Sequence, residues 1–128
     1  RFRYTLLPHA GSWETAGTPR RAVELNQPPV ALFTTFHPQG ELPQCDSFIS
    51  VKPENLMVTV LKEAEDGDGW ILRAYETCGA AAHACIQLPA LGRTIESDIG
   101  PAEIKTFHIP SDPTQAMTER NLLEWPDE

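Results

Sequence analysis

The stretch "NLMVTVLKEAEDGDGWILRAYETC", Asn55 to Cys78, decides the fold. Two runs rich in aliphatic, β-branched and aromatic residues, Asn55–Glu63 and Trp70–Cys78, flank a polar centre. Both read as strands. The centre holds "EDGDG", Glu65 to Gly69, and the glycines Gly67 and Gly69 suit the positive φ angles of a tight connection. The simplest geometry is an antiparallel hairpin. Its tip is acidic: Glu63, Glu65, Asp66 and Asp68 fall within six residues. Three readings remain open for that tip: a plain turn, a loop that reaches a ligand or a neighbouring domain, and a calcium loop. Acids cost little at an exposed turn. A calcium loop needs more oxygen ligands at set spacing and a closing bidentate Glu, and "DGDGW" does not continue that way. A catalytic carboxylate pair needs a pocket between its members, which a lone loop cannot supply.

Outward from the hairpin the texture stays the same. Strand-like runs at Ser47–Lys52, Ala81–Leu88, Arg93–Ser97 and Glu103–Ile109 are separated by turn signals at short intervals, with a tight turn at Gly79. The expected fold is mainly β: a small antiparallel, immunoglobulin-like sandwich with one short helix near the N-terminus. Toward that end, Phe2, Tyr4 and Leu6 alternate with Arg3 and Thr5 as in a half-buried strand, which Pro8 stops. Thr18 is a plausible N-cap and Pro19 suits the first helical position. Ala22 and Leu25 then share a helical face, and Asn26 and Pro28 end it. An extra turn can begin at Ser12. Val30–Phe36 reads as another strand, followed by a Pro- and Gly-rich loop. The composition changes near Cys45. Residues 1–45 look like the end of one unit, and residues 46–128 like a complete small sandwich with a polar tail ending in "NLLEW".

The chain has 128 residues, 41% of them hydrophobic and 22% charged, which suits a folded domain. Its net charge of −8 and pI near 4.9 argue against nucleic acid and anionic membrane as partners. No apolar run reaches transmembrane length. The three cysteines, Cys45, Cys78 and Cys85, are an odd number without a CxxC, so a reducing, cytoplasmic compartment is expected. The chain opens without Met inside a strand-like run, which suggests a piece of a longer protein.

Reactive constellations are scarce in the sequence. GxSxG, P-loop, GxGxxG and HExxH motifs do not occur. Of His9, His37, His83 and His108, only His83 lies near a second metal-ligand type, Cys85, and two ligands fall short of a zinc site. Neither catalytic nor metal residues are therefore expected. Trp13, Trp70, Trp125 and Tyr75 are candidates for stacking on a sugar, Trp70 and Tyr75 foremost, although such rings more often fill cores. Arg73 and Glu76 bracket Tyr75, either as a polar cluster at a domain interface or as cover for an outer face.

Several longer motifs carry a family resemblance. They are "FRYTLLPHAGSW" (Phe2 to Trp13), "AVELNQP" (Ala22 to Pro28), "SFISVKPENLMVTVLKEAEDGDGWILRAYE" (Ser47 to Glu76), "GPAEIKTFHIP" (Gly100 to Pro110) and "NLLEW" (Asn121 to Trp125). Together they make the chain resemble the C-terminal end of bacterial-type α-mannosidases of glycoside hydrolase family 38. That resemblance implies a parent enzyme that hydrolyses terminal α-mannosides with retention and uses a catalytic zinc held in an N-terminal domain. This chain would then be its non-catalytic C-terminal part, inactive alone. Its partners would be the catalytic and other domains and, through them, a mannose-containing glycan. Residues 1–45 would close a preceding large sandwich. Without that sandwich's other strands, the Phe2–Tyr4–Leu6 stripe is expected to dock on the small sandwich, to self-associate or to be poorly ordered. An autonomous carbohydrate-binding module is the alternative reading.

Overall fold

The computed structural model describes residues 2–35, 39–41 and 43–126. Two compact units emerge, Arg1–Phe48 and Ile49–Glu128. The second is the expected β-sandwich. Its strands are β1 (Ser50–Lys52), β2 (Leu56–Glu63), β3 (Trp70–Glu76), β4 (Ala82–Leu88), β5 (Arg93–Ile99), β6 (Ile104–Ile109) and β7 (Thr118–Arg120). One sheet has the order β1-β4-β5 and the other β2-β3-β6-β7. Every pairing is antiparallel. The chain changes sheet three times, at β1–β2, β3–β4 and β5–β6.

Alternation along the strands builds the core. Leu72 and Ala74 of β3, Ala84, Ile86 and Leu88 of β4, Ile95 and Ile99 of β5, and Phe107 and Ile109 of β6 form one buried cluster with Leu56. Burying each Leu or Ile contributes about 1.5–3 kcal/mol, so this layer is what holds the two sheets together. A bulge between Val58 and Val60 shifts the β2–β3 register before the hairpin. Short β7 was not legible in the sequence, because "TER" lies in a polar tail and carries no apolar alternation.

The first unit departs from expectation. Its helix, α1, spans Thr18–Asn26, and Gln27 caps its C-terminus through a backbone N–H to Val23 O. A turn does start at Ser12, whose carbonyl accepts from Ala16 N–H. The N-cap, however, is Gly17 in the left-handed region at φ 64°, and Thr18 stands inside the helix. The preceding turn already supplies backbone acceptors: Thr18 N–H bonds Trp13 O and Arg21 N–H bonds Gly17 O. A side-chain cap is not needed there, and Thr18 Oγ1 is buried without a partner among the described residues.

Neither strand expected in this unit forms among the described residues. Phe2, Tyr4 and Leu6 are all at least 90% exposed, and Val30, Leu32 and Phe33 are exposed too. The expected second strand ended at Phe36, which lies outside the described residues. Alternation fixes which face a strand buries, but it cannot supply the ladder that satisfies its N–H and C=O groups.

Candidate functional site

The acidic segment is a hairpin connection. Glu63 and Trp70 are the last paired residues of β2 and β3, and Ala64–Gly69 close the loop. Ala64 N–H bonds Gly69 O at 3.0 Å, and Gly67 N–H bonds Ala64 O at 3.0 Å. Gly67 and Gly69 take φ angles of 76° and 83°, as the sequence required of them. Gly69 has a second constraint: a Cβ there would run into the Ile109 carbonyl oxygen, so only glycine permits this approach of the loop to the end of β6.

The tip is fastened at several points. Asp66 Oδ1 accepts from Asp68 N–H at 3.0 Å, and Asp68 Oδ1 accepts from Ser111 N–H at 3.3 Å. His108 Nε2 bonds the carbonyl of Asp68. Lys62 Nζ reaches Glu65 at 2.7 Å and Glu124 at 2.8 Å. Hydrogen bonds from Glu124 and then Glu65 raise the Lys62 pKa above its usual value, and Lys62 in turn lowers that of Glu65. Glu65, Asp66 and Asp68 all remain exposed. Among the described residues no group of three or more His, Cys, Asp or Glu is placed to hold a metal ion.

Trp70 and Tyr75, paired as stacking candidates, are not brought together. Odd and even residues of a strand face opposite ways. Trp70 shares the inward side with Leu72 and Ala74 but stands past the core, 40% exposed, at the open end of the sandwich. Tyr75 is half-buried on the other side with its hydroxyl 3.6 Å from Met57 Sδ. Trp13 belongs to the first unit, and Trp125 is exposed on the closing segment.

Arg73 and Glu76 have separate duties. Arg73 Nε donates to Thr106 Oγ1 at 3.1 Å and its Nη2 to Leu122 O at 3.1 Å, pinning the "NLLEW" segment to the outer side of β3. The Asn121 side chain orders that segment by accepting from Leu123 and Trp125 N–H. His83 and Cys85 sit on one face of β4, as their spacing required. His83 Nδ1 pairs with Asp98 at 2.7 Å, across the β4–β5 ladder.

Glu76 was missed as a site by sequence reasoning. It is 2% exposed, yet its carboxylate is surrounded by donors. Oε1 accepts from Asn55 Nδ2 at 2.8 Å and Cys78 N–H at 2.7 Å. Oε2 accepts from the N–H groups of Gly79 (2.7 Å), Ala80 (3.2 Å) and Ala102 (3.0 Å). Burial alone would raise its pKa; the bonds from Ala102, Cys78, Asn55 and Gly79 outweigh that and bring it down to about 2. The carboxylate joins the turn after β3 to the turn before β6. The only local signal was an acid just before the Gly79 turn. Asn55 and Ala102 are too far away in sequence for any spacing argument to find them.

Comparison with known proteins adds to this geometry. Residues 55–107 match the model of the glycosyl hydrolases family 38 C-terminal beta sandwich domain. Alpha-mannosidase G of Dictyostelium discoideum is 32% identical over 87 residues, an alignment covering 63% of this chain and 8% of that protein. The chain thus spans less than a tenth of that relative's length. No solved structure matches.

Proposed function

We propose that this chain, which carries a glycosyl hydrolase family 38 C-terminal β-sandwich domain over residues 55–107, is the non-catalytic C-terminal part of a zinc-dependent, retaining α-mannosidase. In this reading the zinc and the nucleophile belong to another domain, and the small sandwich supports that domain at the rim of its active site. The observation that carries it is the fastened acidic tip. Glu65, Asp66 and Asp68 project from a loop held by Ser111, His108 and Lys62, so their charges are presented in a fixed geometry with little ordering left to do on contact. The expected contact is with basic groups of the catalytic domain or with hydroxyls of a mannose-containing glycan.

The first unit fits the same reading. Its exposed Phe2, Tyr4, Leu6, Val30, Leu32 and Phe33 suit strands that complete a preceding sandwich, with residues 1–45 as its closing segment. Apart from that sandwich, the Phe2–Leu6 run would be a surface for self-association. Free Cys45, Cys78 and Cys85 are in keeping with a cytoplasmic location, and no helix among the described residues is long and apolar enough to cross a membrane.

The test is made in the full-length enzyme. Glu65→Gln with Asp66→Asn, both on the exposed tip, is expected to lower kcat/KM for an α-mannoside by roughly tenfold or more. The isolated chain carrying the same changes should keep its melting temperature. Unchanged kinetics together with unchanged stability of the whole enzyme would remove the hairpin from this role.

A further inference from the structure

The segment after β7 is pinned to its sheet by polar bonds while its large apolar side chains stay outside. Asn121 N–H bonds Trp125 O and Glu124 N–H bonds Asn121 O, which closes residues 121–125 into one small loop. The Asn121 side chain, the Arg73 bond to Leu122 O and the Arg120–Pro126 bridge complete the fastening. Leu122, Leu123 and Trp125 are left 58%, 71% and 67% exposed. Between them Glu124 takes a φ of 69°, a left-handed conformation that a residue with a side chain keeps only where its surroundings impose it. The outward pose is therefore built, and differs from that of a frayed end.

Single exposed apolar residues are ordinary on any protein. Three on one ordered loop make a patch, and such patches mark contact surfaces. Its border says what can cover it. Lys62 Nζ spans Glu65 of the acidic tip at 2.7 Å and Glu124 of this loop at 2.8 Å, so tip and patch are neighbours on one surface. Glu65 and Asp66 stand exposed beside it. A second copy would bring this acidic border against its own kind, on a chain of net charge −8, and like charges oppose that contact. The complement is an apolar pocket with Lys or Arg on its rim.

We propose that Leu122, Leu123 and Trp125 are a docking anchor, seated in a basic-rimmed apolar pocket on a domain of the parent enzyme outside this chain. Trp125 has the largest apolar face and stands as the central contact. The choice of that partner rests on the reading above of a larger enzyme; the patch itself rests on the loop. The anchor differs from the acidic tip in its task. It fixes where the sandwich sits and takes no part at the rim of the active site.

The experiment is hydroxyl-radical footprinting read by mass spectrometry, on the full-length enzyme and on the 128-residue chain side by side. Oxidation of Trp125, Leu122 and Leu123 is expected to be several-fold slower in the full-length enzyme, because the core of an interface excludes water. In that enzyme Leu123→Ser with Trp125→Ser should speed release of the sandwich by limited proteolysis several-fold. The same changes should leave the melting temperature of the isolated chain unchanged, since these side chains lie outside its core. Footprinting needs no variant, so the proposal stays open to refutation even if the double variant folds poorly. Equal oxidation in the two forms overturns it. Protection of Trp125 in the isolated chain that grows with concentration also overturns it, by giving the patch to a second copy. The tip is read by kcat/KM and the anchor by burial. A protected Trp125 with unaltered kinetics of the tip variant sinks the rim contact alone; an exposed Trp125 with lowered kinetics sinks the anchor alone.

Discussion

Glu76 offers the sharpest test of how this sandwich is held together. Its carboxylate has an ordinary pKa of 4.5 in the unfolded chain and about 2 in the folded one. A depressed folded-state value means stability that is fully present above the unfolded pKa and is lost as pH falls toward the folded one. The shift corresponds to about 3 kcal/mol, a large share of the 4–12 kcal/mol expected for a domain of roughly 80 residues. Urea unfolding of the chain followed by tryptophan fluorescence should therefore show a loss of about 3 kcal/mol between roughly pH 5 and pH 2, above that of other carboxylates. Glu76→Gln removes this share of the pH dependence. It also costs about 2–4 kcal/mol at pH 7, because an amide group cannot accept on both sides and leaves backbone donors facing a donor. A Glu76→Gln chain with wild-type stability, or with the wild-type acid slope, would refute the reasoning.

Two further predictions concern the hairpin turn and the β4–β5 ladder. Gly69→Ala should destabilise by about 3 kcal/mol or more, since its Cβ meets the Ile109 carbonyl, whereas Gly67→Ala, with open space and only its φ angle at stake, should cost about 1–2 kcal/mol; equal losses in urea unfolding would contradict the assigned close approach. The hydrogen bond to Asp98, then the charges of Asp98 and Glu96, hold the His83 pKa above 6.5, so this pair's contribution is present below that value and fades as pH rises through the raised one. Asp98→Asn should bring the imidazole titration, followed by NMR, back toward 6.5; an unmoved midpoint would show that the pair does not form in solution.

Local pattern carried a good deal of this molecule. The hairpin between Leu56–Glu63 and Trp70–Glu76 was legible because β-branched and aromatic runs flank two glycines, and both glycines do take positive φ. Helix α1 was legible in extent from Asn26 and Pro28 but not in its cap, because a backbone turn took over the task expected of Thr18. The Phe2–Leu6 and Val30–Thr35 runs show the limit of alternation. It states which face a strand would bury, not whether a sheet is there to receive it.

Sequence by itself determined the strand-rich second unit, the acidic tip and the need for glycine at its turn, since each depends on residues within about ten positions of one another. It also gave the family resemblance, which the match over residues 55–107 upholds. Tertiary structure decided the rest. It placed Asn55 and Ala102 around Glu76 and set Ser111 against Asp68. These outcomes follow from the register of strands far apart in sequence. A buried carboxylate is defined by which backbones meet, and local composition carries no record of that.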